Sequence, residues 1–325
     1  MPMLEGLKIT EQMFERPTEV VVGDHIATLP LLRRLILMGN EFFCLGLPQH
    51  LSIPSTSSFV LVCTQALRRF PPDLPILPHS IPSSSGTDFD SVATTLDRIH
   101  VSLQYSSVLV EGWNLSTRSV STLQFTSADI EPEADINLEF TPPRGKYDPM
   151  LFLLFKTLHL QQVRTIRLSF CSPCDAKTLP QSITDLLTML PALESCVVER
   201  IFVGPFVKAL NSSVGDDFGM SLTGLDELEL MGHGFVEEAE DKVAANLWAY
   251  AAARDRMGGR MKVIRLRDCE DMDAMWLEEL GRVVADTVQC GEIAPVHSHP
   301  SCREPSSSHR GEKLWFIAPT RVLHT

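Results

Sequence analysis

The chain has 325 residues, of which 44% are hydrophobic and 21% are charged, a composition typical of a folded protein with a substantial core. Its formal net charge is −13, and the segment 221–289 alone holds 15 acidic and 8 basic side chains. Such a surface would repel a phosphate backbone, which argues against nucleic-acid binding and leaves a solvated acidic face as the simplest interpretation.

A short phrase with apolar residues at positions i, i+3 and i+5 recurs along the chain. It opens at Leu4, and its cleanest copy, 32–40, carries Asn40 at the ninth place. Later copies start at positions 163, 193, 225 and 261, which are 30, 32 and 36 residues apart. Short strands recurring at this spacing are typical of a leucine-rich-repeat solenoid, in which one repeat buries its apolar row only by stacking on its neighbours.

The stretch 225–267 contains a complete repeat unit, because two copies of the phrase enclose a helical segment with Leu247 and Tyr250 on its inward side. Four helices are predicted in the second half of the chain: 149–162, 172–190 with a break at Pro180, 236–257 and 272–289. The strands are expected to end at residues that bond to the following turn, such as Asn40 and Cys269. The alternation predicts an α/β fold, an irregular leucine-rich-repeat solenoid with short parallel strands on the concave side and helices on the convex side.

The first half of the chain is less regular. Five of the 22 prolines lie in 70–86, next to a run of serines, and this composition predicts an irregular insertion at about 70–90. A short helix is predicted at 92–98, and strands are predicted at 101–105, 108–110, 121–128 and 135–140. The pattern stops after Cys290, so we expect one solenoid over 1–290 and a disordered tail over 291–325.

The sequence carries no motif of a known catalytic centre. There is no Gly-x-Ser-x-Gly elbow and no Gly-Lys-Ser/Thr phosphate loop. Cys171 and Cys174 have the spacing of a redox pair, although Cys171 is already explained as a strand-end residue. Four candidate zinc ligands lie near the C-terminus in a spacing that matches no common module: Cys290, His297, His299 and Cys302. We therefore expect no enzymatic activity, no cofactor and no metal, and a metal-dependent activity of the tail is the alternative.

The cellular compartment is indicated by the cysteines and by the N-terminus. Eight cysteines are scattered without framework spacing, which favours reduced thiols in a cytoplasmic or nuclear protein. The first residues contain neither the basic nor the apolar region of a signal peptide. The most apolar run, 150–155, is too short to cross a bilayer, so no membrane association is expected.

The repeat region resembles that of the fungal F-box/leucine-rich-repeat proteins found in mushroom-forming basidiomycetes. The resemblance covers residues 1 to about 290 and is carried by 4–9, 32–40, the Pro/Ser-rich interruption and, most strongly, 150–291. It implies a leucine-rich-repeat fold and a non-enzymatic protein–protein interaction module, similar to the substrate-recognition region of a cullin-type ubiquitin ligase. In that family the F-box binds a Skp-type adaptor and the repeat surface selects the target protein.

The F-box itself has no counterpart in this sequence, so a Skp-type adaptor is expected only if an F-box is encoded upstream. Two alternatives stay open: a leucine-rich-repeat scaffold unrelated to ubiquitin, and a truncated, non-functional copy. In each binding hypothesis the protein target is unknown. The predicted contact residues are the outward strand positions Arg167, Glu229, Arg265 and Arg267, and the alternative is that these are solvated strand residues.

Overall fold

The computed structural model describes residues 4–10, 26–54, 56–66, 77–80, 96–103, 107–114, 134–141, 151, 154–156, 158, 160–170, 179–212, 222, 224–232, 242–269, 272–285 and 287–290. All of them belong to one compact unit, Met1–Ile293. The predicted tail 291–325, the predicted strand 121–128, most of the insertion at about 70–90 and the pair Cys171 and Cys174 lie outside the described residues.

The described residues form strands and short helices. The strands are β1 Gly6–Thr10, β2 Ala27–Thr28, β3 Arg34–Gly39, β4 Leu51–Ile53, β5 Ser58–Ala66, β6 His79–Ser80, β7 Arg98–Leu103, β8 Val108–Trp113, β9 Ile136–Thr141, β10 Thr165–Phe170, β11 Ser195–Glu199, β12 Glu227–Met231, β13 Val263–Arg267 and β14 Thr287–Cys290. The α-helices are α1 Glu41–Gly46, α2 Leu179–Thr188, α3 Val203–Ser212, α4 Val243–Arg256 and α5 Ala274–Val283. Three 3-10 turns are described as well: Leu47–His50, Leu160–Gln162 and Arg200–Phe202.

Most strands belong to one large sheet. Its eleven strands follow the order β1-β3-β5-β9-β8-β7-β10-β11-β12-β13-β14, and a second sheet has the order β2-β4-β6. Neighbouring strands are parallel except around β8, which runs antiparallel to both β7 and β9. The large sheet ends at β1 on one side and β14 on the other, so it is open rather than a closed barrel. A mixed α/β fold with a large, mostly parallel sheet is therefore confirmed.

The recurring phrase supplies the core beneath β10 to β13. The residues at its three apolar positions in these repeats share one property, which is that none is more than 1% exposed: Val163, Ile166, Leu168, Leu193, Cys196, Val198, Leu225, Leu228, Leu230, Met261, Ile264 and Leu266. The strand register places the second positions in one row and the third positions in another. Each buried aliphatic side chain contributes roughly 1.5–3 kcal/mol, so these rows stabilise the strands that carry the outer side chains.

The helix between the last two copies of the phrase behaves largely as predicted. Val243, Leu247 and Tyr250 are buried, as their helical spacing requires. The chain leaves α4 through Gly258, whose φ of +76° is a conformation that glycine adopts without steric cost, and its N–H donates to the carbonyl of Asp255. The structure describes this helix from Val243, so the predicted start at 236 falls outside the described residues.

Two helix predictions are wrong at one end. The helix predicted over 272–289 ends at Val283, and Thr287–Cys290 instead pairs in parallel with β13. Pairing with the open edge of β13 satisfies backbone groups that a longer helix would leave unpaired there, and it outweighs the helical spacing of the apolar residues. The helix predicted at 92–98 is also wrong where it is described, because Arg98 begins β7.

Further differences concern the strands and helix breaks. The antiparallel β8 was not expected, since the repeat pattern predicts parallel neighbours. Pro180 is the second residue of α2, a position where its missing N–H costs nothing, and it does not divide the described helix. Asn40 follows β3 and caps α1, because its Oδ1 accepts a bond of 3.0 Å from the N–H of Phe43.

Candidate binding face

The residues between the buried positions of β7, β8 and β10 to β13 form two rows on the side of the large sheet opposite the core, and we call this side the outer face. In the first row, neighbours across the strands are His100, Arg167, Val197, Glu229 and Arg265. The second row includes Ser102 beside Ser169. It also includes Glu199 beside Met231, which in turn lies beside Arg267. The four predicted contact residues therefore lie on one face of four adjacent strands.

Each of the three predicted arginines forms an ion pair with a carboxylate on the neighbouring strand. Arg167 binds Glu199, with an Nη2–Oε1 distance of 2.6 Å, and Nε of the same guanidinium donates to that oxygen at 2.8 Å. The Nη1 atom of Arg265 lies 3.0 Å from Oε2 of Glu227. The Nε atom of Arg267 lies 3.1 Å from Oε1 of Glu229. These side chains therefore act as cross-strand pairs rather than as separate charges.

Sequence reasoning missed the acidic partners Glu199 and Glu227. A partial signal for Glu227 was present, because Glu227 and Glu229 flank Leu228 in one copy of the phrase, and Arg265 and Arg267 flank Leu266, two positions further along, in the next copy. An acidic strand next to a basic strand predicts ion pairs between them, although both observed pairs are diagonal and join residues two positions apart in the register.

Glu229 is the most enclosed charged residue of this group. It is 7% exposed, and its first-row neighbour Val197 is 6% exposed. Burial raises the pKa of the Glu229 carboxyl above its ordinary value, while the charges of Arg267, Arg265 and Arg167 lower it and that of Glu199 raises it further. The carboxylate is thus held in a partly desolvated position that its arginine neighbours compensate in part.

A second set of ion pairs lies one residue before the strands. Arg164 and Glu194 precede β10 and β11, and their side chains approach to 3.5 Å between Nη1 and Oε1. Lys262 and Asp226 precede β13 and β12, with an Nζ–Oδ2 distance of 2.6 Å. The hydrogen bond to Asp226, followed by its charge, raises the pKa of Lys262. These pairs are more exposed than those of the outer face, so solvent screens them more strongly.

A different polar cluster spans β8, β7 and β10. The Nδ1 atom of His100 lies 3.0 Å from Oε2 of Glu111, and its Nε2 atom lies 2.7 Å from Oγ of Ser169. His100 is held directly opposite Glu111 by the antiparallel register of β7 and β8. No sequence motif indicated this cluster, because its members are 11 and 69 residues apart and meet only through the pairing of the strands.

The part of the chain that the structure describes contains no group of three or more histidine, cysteine or acidic residues able to hold a metal ion. The candidate ligands His297, His299 and Cys302 fall outside it, as do the side-chain surroundings of Cys290. An apolar void lined in part by Val101 has a volume of about 10 Å³, far below that of a ligand pocket. In the described segments, no helix combines the length and apolar character needed to cross a bilayer.

Four described cysteines are buried thiols outside any disulfide: Cys44, Cys63, Cys196 and Cys269. Cys269 follows β13, and its Sγ bonds to the carbonyl oxygens of Leu230 at 3.6 Å and Arg267 at 3.3 Å. This is the strand-end role that the sequence predicts for it. Burial raises the pKa of the Cys196 thiol, so that sulfur is a core group rather than a nucleophile.

Comparison with known proteins adds no assignment to this geometry. No family model, curated protein or solved structure matches the chain. The function is therefore inferred from the side chains of the outer face.

Proposed function

We propose that the chain is a leucine-rich-repeat-like solenoid that acts as a protein–protein interaction module, with the outer face as its concave contact surface. The observation that carries the proposal is the register of β10 to β13. Successive copies of one phrase align so that apolar rows lie beneath polar rows that continue from strand to strand. A stack of repeats produces such continuous surfaces, and repeat proteins use them to bind extended partners.

The chemistry of the outer face favours a protein partner. Three arginines and three glutamates alternate there around the apolar Val197 and Met231. Arginine beside apolar side chains is common at the centre of protein interfaces, where its planar fork makes paired hydrogen bonds. Because each positive charge has a negative neighbour, the face lacks the excess positive charge that a nucleic acid would need.

The more specific proposal is that the module is the target-recognising part of an F-box-like protein. Its support is the sequence resemblance carried by 32–40 and 150–291, and it extends to a Skp-type adaptor only if an F-box lies upstream. A scaffold unrelated to ubiquitin would have the same outer face with other partners. The two proposals therefore share a binding surface and differ in the proteins that accompany it.

The test inverts one ion pair while keeping it intact. Reversing Arg265 alone would place a carboxylate against Glu227, so lost binding and lost stability could not be separated. In the double variant Glu227→Arg with Arg265→Glu, the pair survives with opposite polarity. We expect this variant to lose its captured proteins, measured by cross-linking and mass spectrometry of the tagged chain in its native cells. It should still unfold cooperatively well above the temperature of the assay, with a melting temperature lowered by a few degrees because Arg265 also compensates the charge of Glu229 beside it.

The matched control is the same exchange at Arg164 and Glu194, a pair that lies one residue before two adjacent strands and outside the two rows of the outer face. It should leave the captured proteins unchanged. Unchanged capture by the Glu227/Arg265 variant would refute the outer face as the contact surface. Cullin and a Skp-type adaptor among the captured proteins would support the ubiquitin proposal, other stable partners would support the scaffold, and no specific partner would support a non-functional copy.

A further inference from the structure

The cluster of Glu111, His100 and Ser169 has the arrangement of an acid, a base and a nucleophile. Nδ1 of His100 lies 3.0 Å from a carboxylate oxygen of Glu111, and Nε2 lies 2.7 Å from the hydroxyl oxygen of Ser169. With the proton on Nδ1 donated to Glu111, Nε2 presents its lone pair to the hydroxyl. This is the tautomer in which a carboxylate orients histidine to accept a serine proton.

The three side chains are held by strands rather than by loops. The strand register places His100 opposite Glu111 of β8 on one side and opposite Arg167 of β10 on the other. Ser169 lies two residues after Arg167 on the same strand. Side chains that project from adjacent strands of a packed sheet have little freedom to separate. The fold therefore keeps base and nucleophile within the range at which a proton can be transferred.

An ion pair lies next to the serine on the neighbouring strand. Leu168 is paired with Val198, so Glu199, the next residue of β11, stands across from Ser169. The guanidinium of Arg167 reaches diagonally to Glu199 and is fixed there by two close contacts. Because the charge of this guanidinium is balanced by Glu199, any stabilisation of the negative charge that develops on a carbonyl oxygen would come from its N–H groups rather than from an excess of positive charge.

We propose that Ser169, His100 and Glu111 form a hydrolytic triad that cleaves carboxylic esters of small acyl groups. Ser169 is 6% exposed and the side chains of His100 and Glu111 are 16% and 24% exposed, so access to the hydroxyl is narrow and limits the substrate to a small acyl group. This activity goes beyond the proposed binding function and departs from the sequence-based expectation of a non-enzymatic chain. The sequence could not indicate it because the residues come from three separate strands.

The reaction needs no co-reactant besides water. The hydroxyl oxygen of Ser169 bonds to the ester carbonyl carbon while its proton passes to Nε2 of His100. The carbon–oxygen bond to the alcohol then breaks, and the imidazolium returns the proton to the leaving alcohol. Water, deprotonated by the same nitrogen, releases the acyl group as a carboxylic acid and restores the serine.

The experiment uses the full chain and two probes, a fluorophosphonate that labels activated serines and 4-nitrophenyl acetate as the ester. Mass spectrometry of the labelled wild type should place the phosphonate on Ser169. The variant His100→Gln should label at least about a hundredfold more slowly, the usual contribution of a general base. Glu111→Gln should also label more slowly, because the neutral amide no longer stabilises the imidazolium.

Ser57→Ala is the matched control, since Ser57 is similarly buried, at 7%, and its hydroxyl donates to the carbonyl oxygen of Leu32, away from the triad and the outer face. It should label and hydrolyse the ester like the wild type. Absence of label on Ser169 in folded wild-type protein would overturn the proposal, as would labelling that His100→Gln leaves unchanged. Neither result depends on Glu227 or Arg265, so failure of the triad and failure of the proposed binding function can be told apart.

Discussion

The buried guanidinium of Arg254 on α4 offers a sharp test of how the last repeats are held together. Arg254 is 3% exposed. Its Nε donates to the carbonyl oxygen of Gly259 at 2.6 Å, and its Nη1 donates to the carbonyl of Leu222 at 2.6 Å and to the hydroxyl of Tyr250 at 3.3 Å. One side chain thereby ties the end of the helix to the segments that precede β12 and β13.

Replacing Arg254 by methionine keeps much of the side-chain volume and removes every donor. The carbonyls of Leu222 and Gly259 then lose a charged partner inside the protein. The carbonyl of Leu222 still accepts from the N–H of Leu225 at 3.2 Å, so only that of Gly259 is left unsatisfied. A buried polar group left unsatisfied costs about 1–3 kcal/mol, and we expect a loss of that size in the free energy of unfolding. Against a total stability of about 5–15 kcal/mol, this loss should be evident.

Urea unfolding monitored by tryptophan fluorescence measures the effect, because Trp248 lies on the same helix. The control is Arg256→Met, two residues further along, where the exposed side chain makes a bond of 3.3 Å to the carbonyl of Ala252. That change should cost no more than about 0.5 kcal/mol. Equal losses from the two substitutions would refute the role assigned to Arg254, and Arg254→Lys should fall between them since it retains charge but not the planar fork.

Three further changes test the core, the outer face and a helix cap. Leu228→Asp puts a carboxylate into a fully buried row, and circular dichroism should show a loss above about 3 kcal/mol or loss of cooperative unfolding; a small loss would mean that β12 is not enclosed as described. Because burial raises the pKa of Glu229 in the folded state, the unfolded state ionises first as pH rises from about 4.3. Wild-type stability should then fall relative to Glu229→Gln between that pH and the raised pKa, and a difference independent of pH over this range would contradict the assigned burial. Asn40→Ala should lower stability by about 0.5–2 kcal/mol in thermal unfolding, whereas Asn40→Asp should retain most of it; equal effects of the two would argue against the cap.

The core of the C-terminal repeats could be predicted from the sequence because its signal is local. Apolar residues at i, i+3 and i+5 identify buried strand positions without knowledge of any neighbour, and residues such as Leu225, Leu228 and Leu230 are fully buried. The same pattern is present at Leu96, Ile99 and Val101, which precede or belong to β7 and are also buried. The prediction placed Leu96 in a helix over 92–98 and Val101 in a strand over 101–105.

The order of the strands could not be predicted by the same means. β7 pairs with β10 on one side and with β8 on the other. β8 pairs antiparallel with β9, and β9 in turn pairs in parallel with β5. Which edges meet depends on the packing of the whole sheet rather than on any short segment. The strand β14 shows the same limit. Its apolar residues have a spacing that favours a helix, but the segment pairs with the edge of β13 instead.

The predicted contact residues were identified as separate charges, and their pairing changes what recognition requires. A partner that approaches Arg265 or Arg267 meets a guanidinium already bound to a glutamate. It must either bridge the existing pair, adding hydrogen bonds to both members, or displace the glutamate and leave a partly buried carboxylate without its cation. The second route is the more costly at Glu229, since that carboxylate is already largely removed from water. Under the proposed binding function, a ligand with both donors and acceptors at the spacing of the pairs would therefore be preferred over a simple anion, and these ion pairs would select partners by geometry more than by net charge.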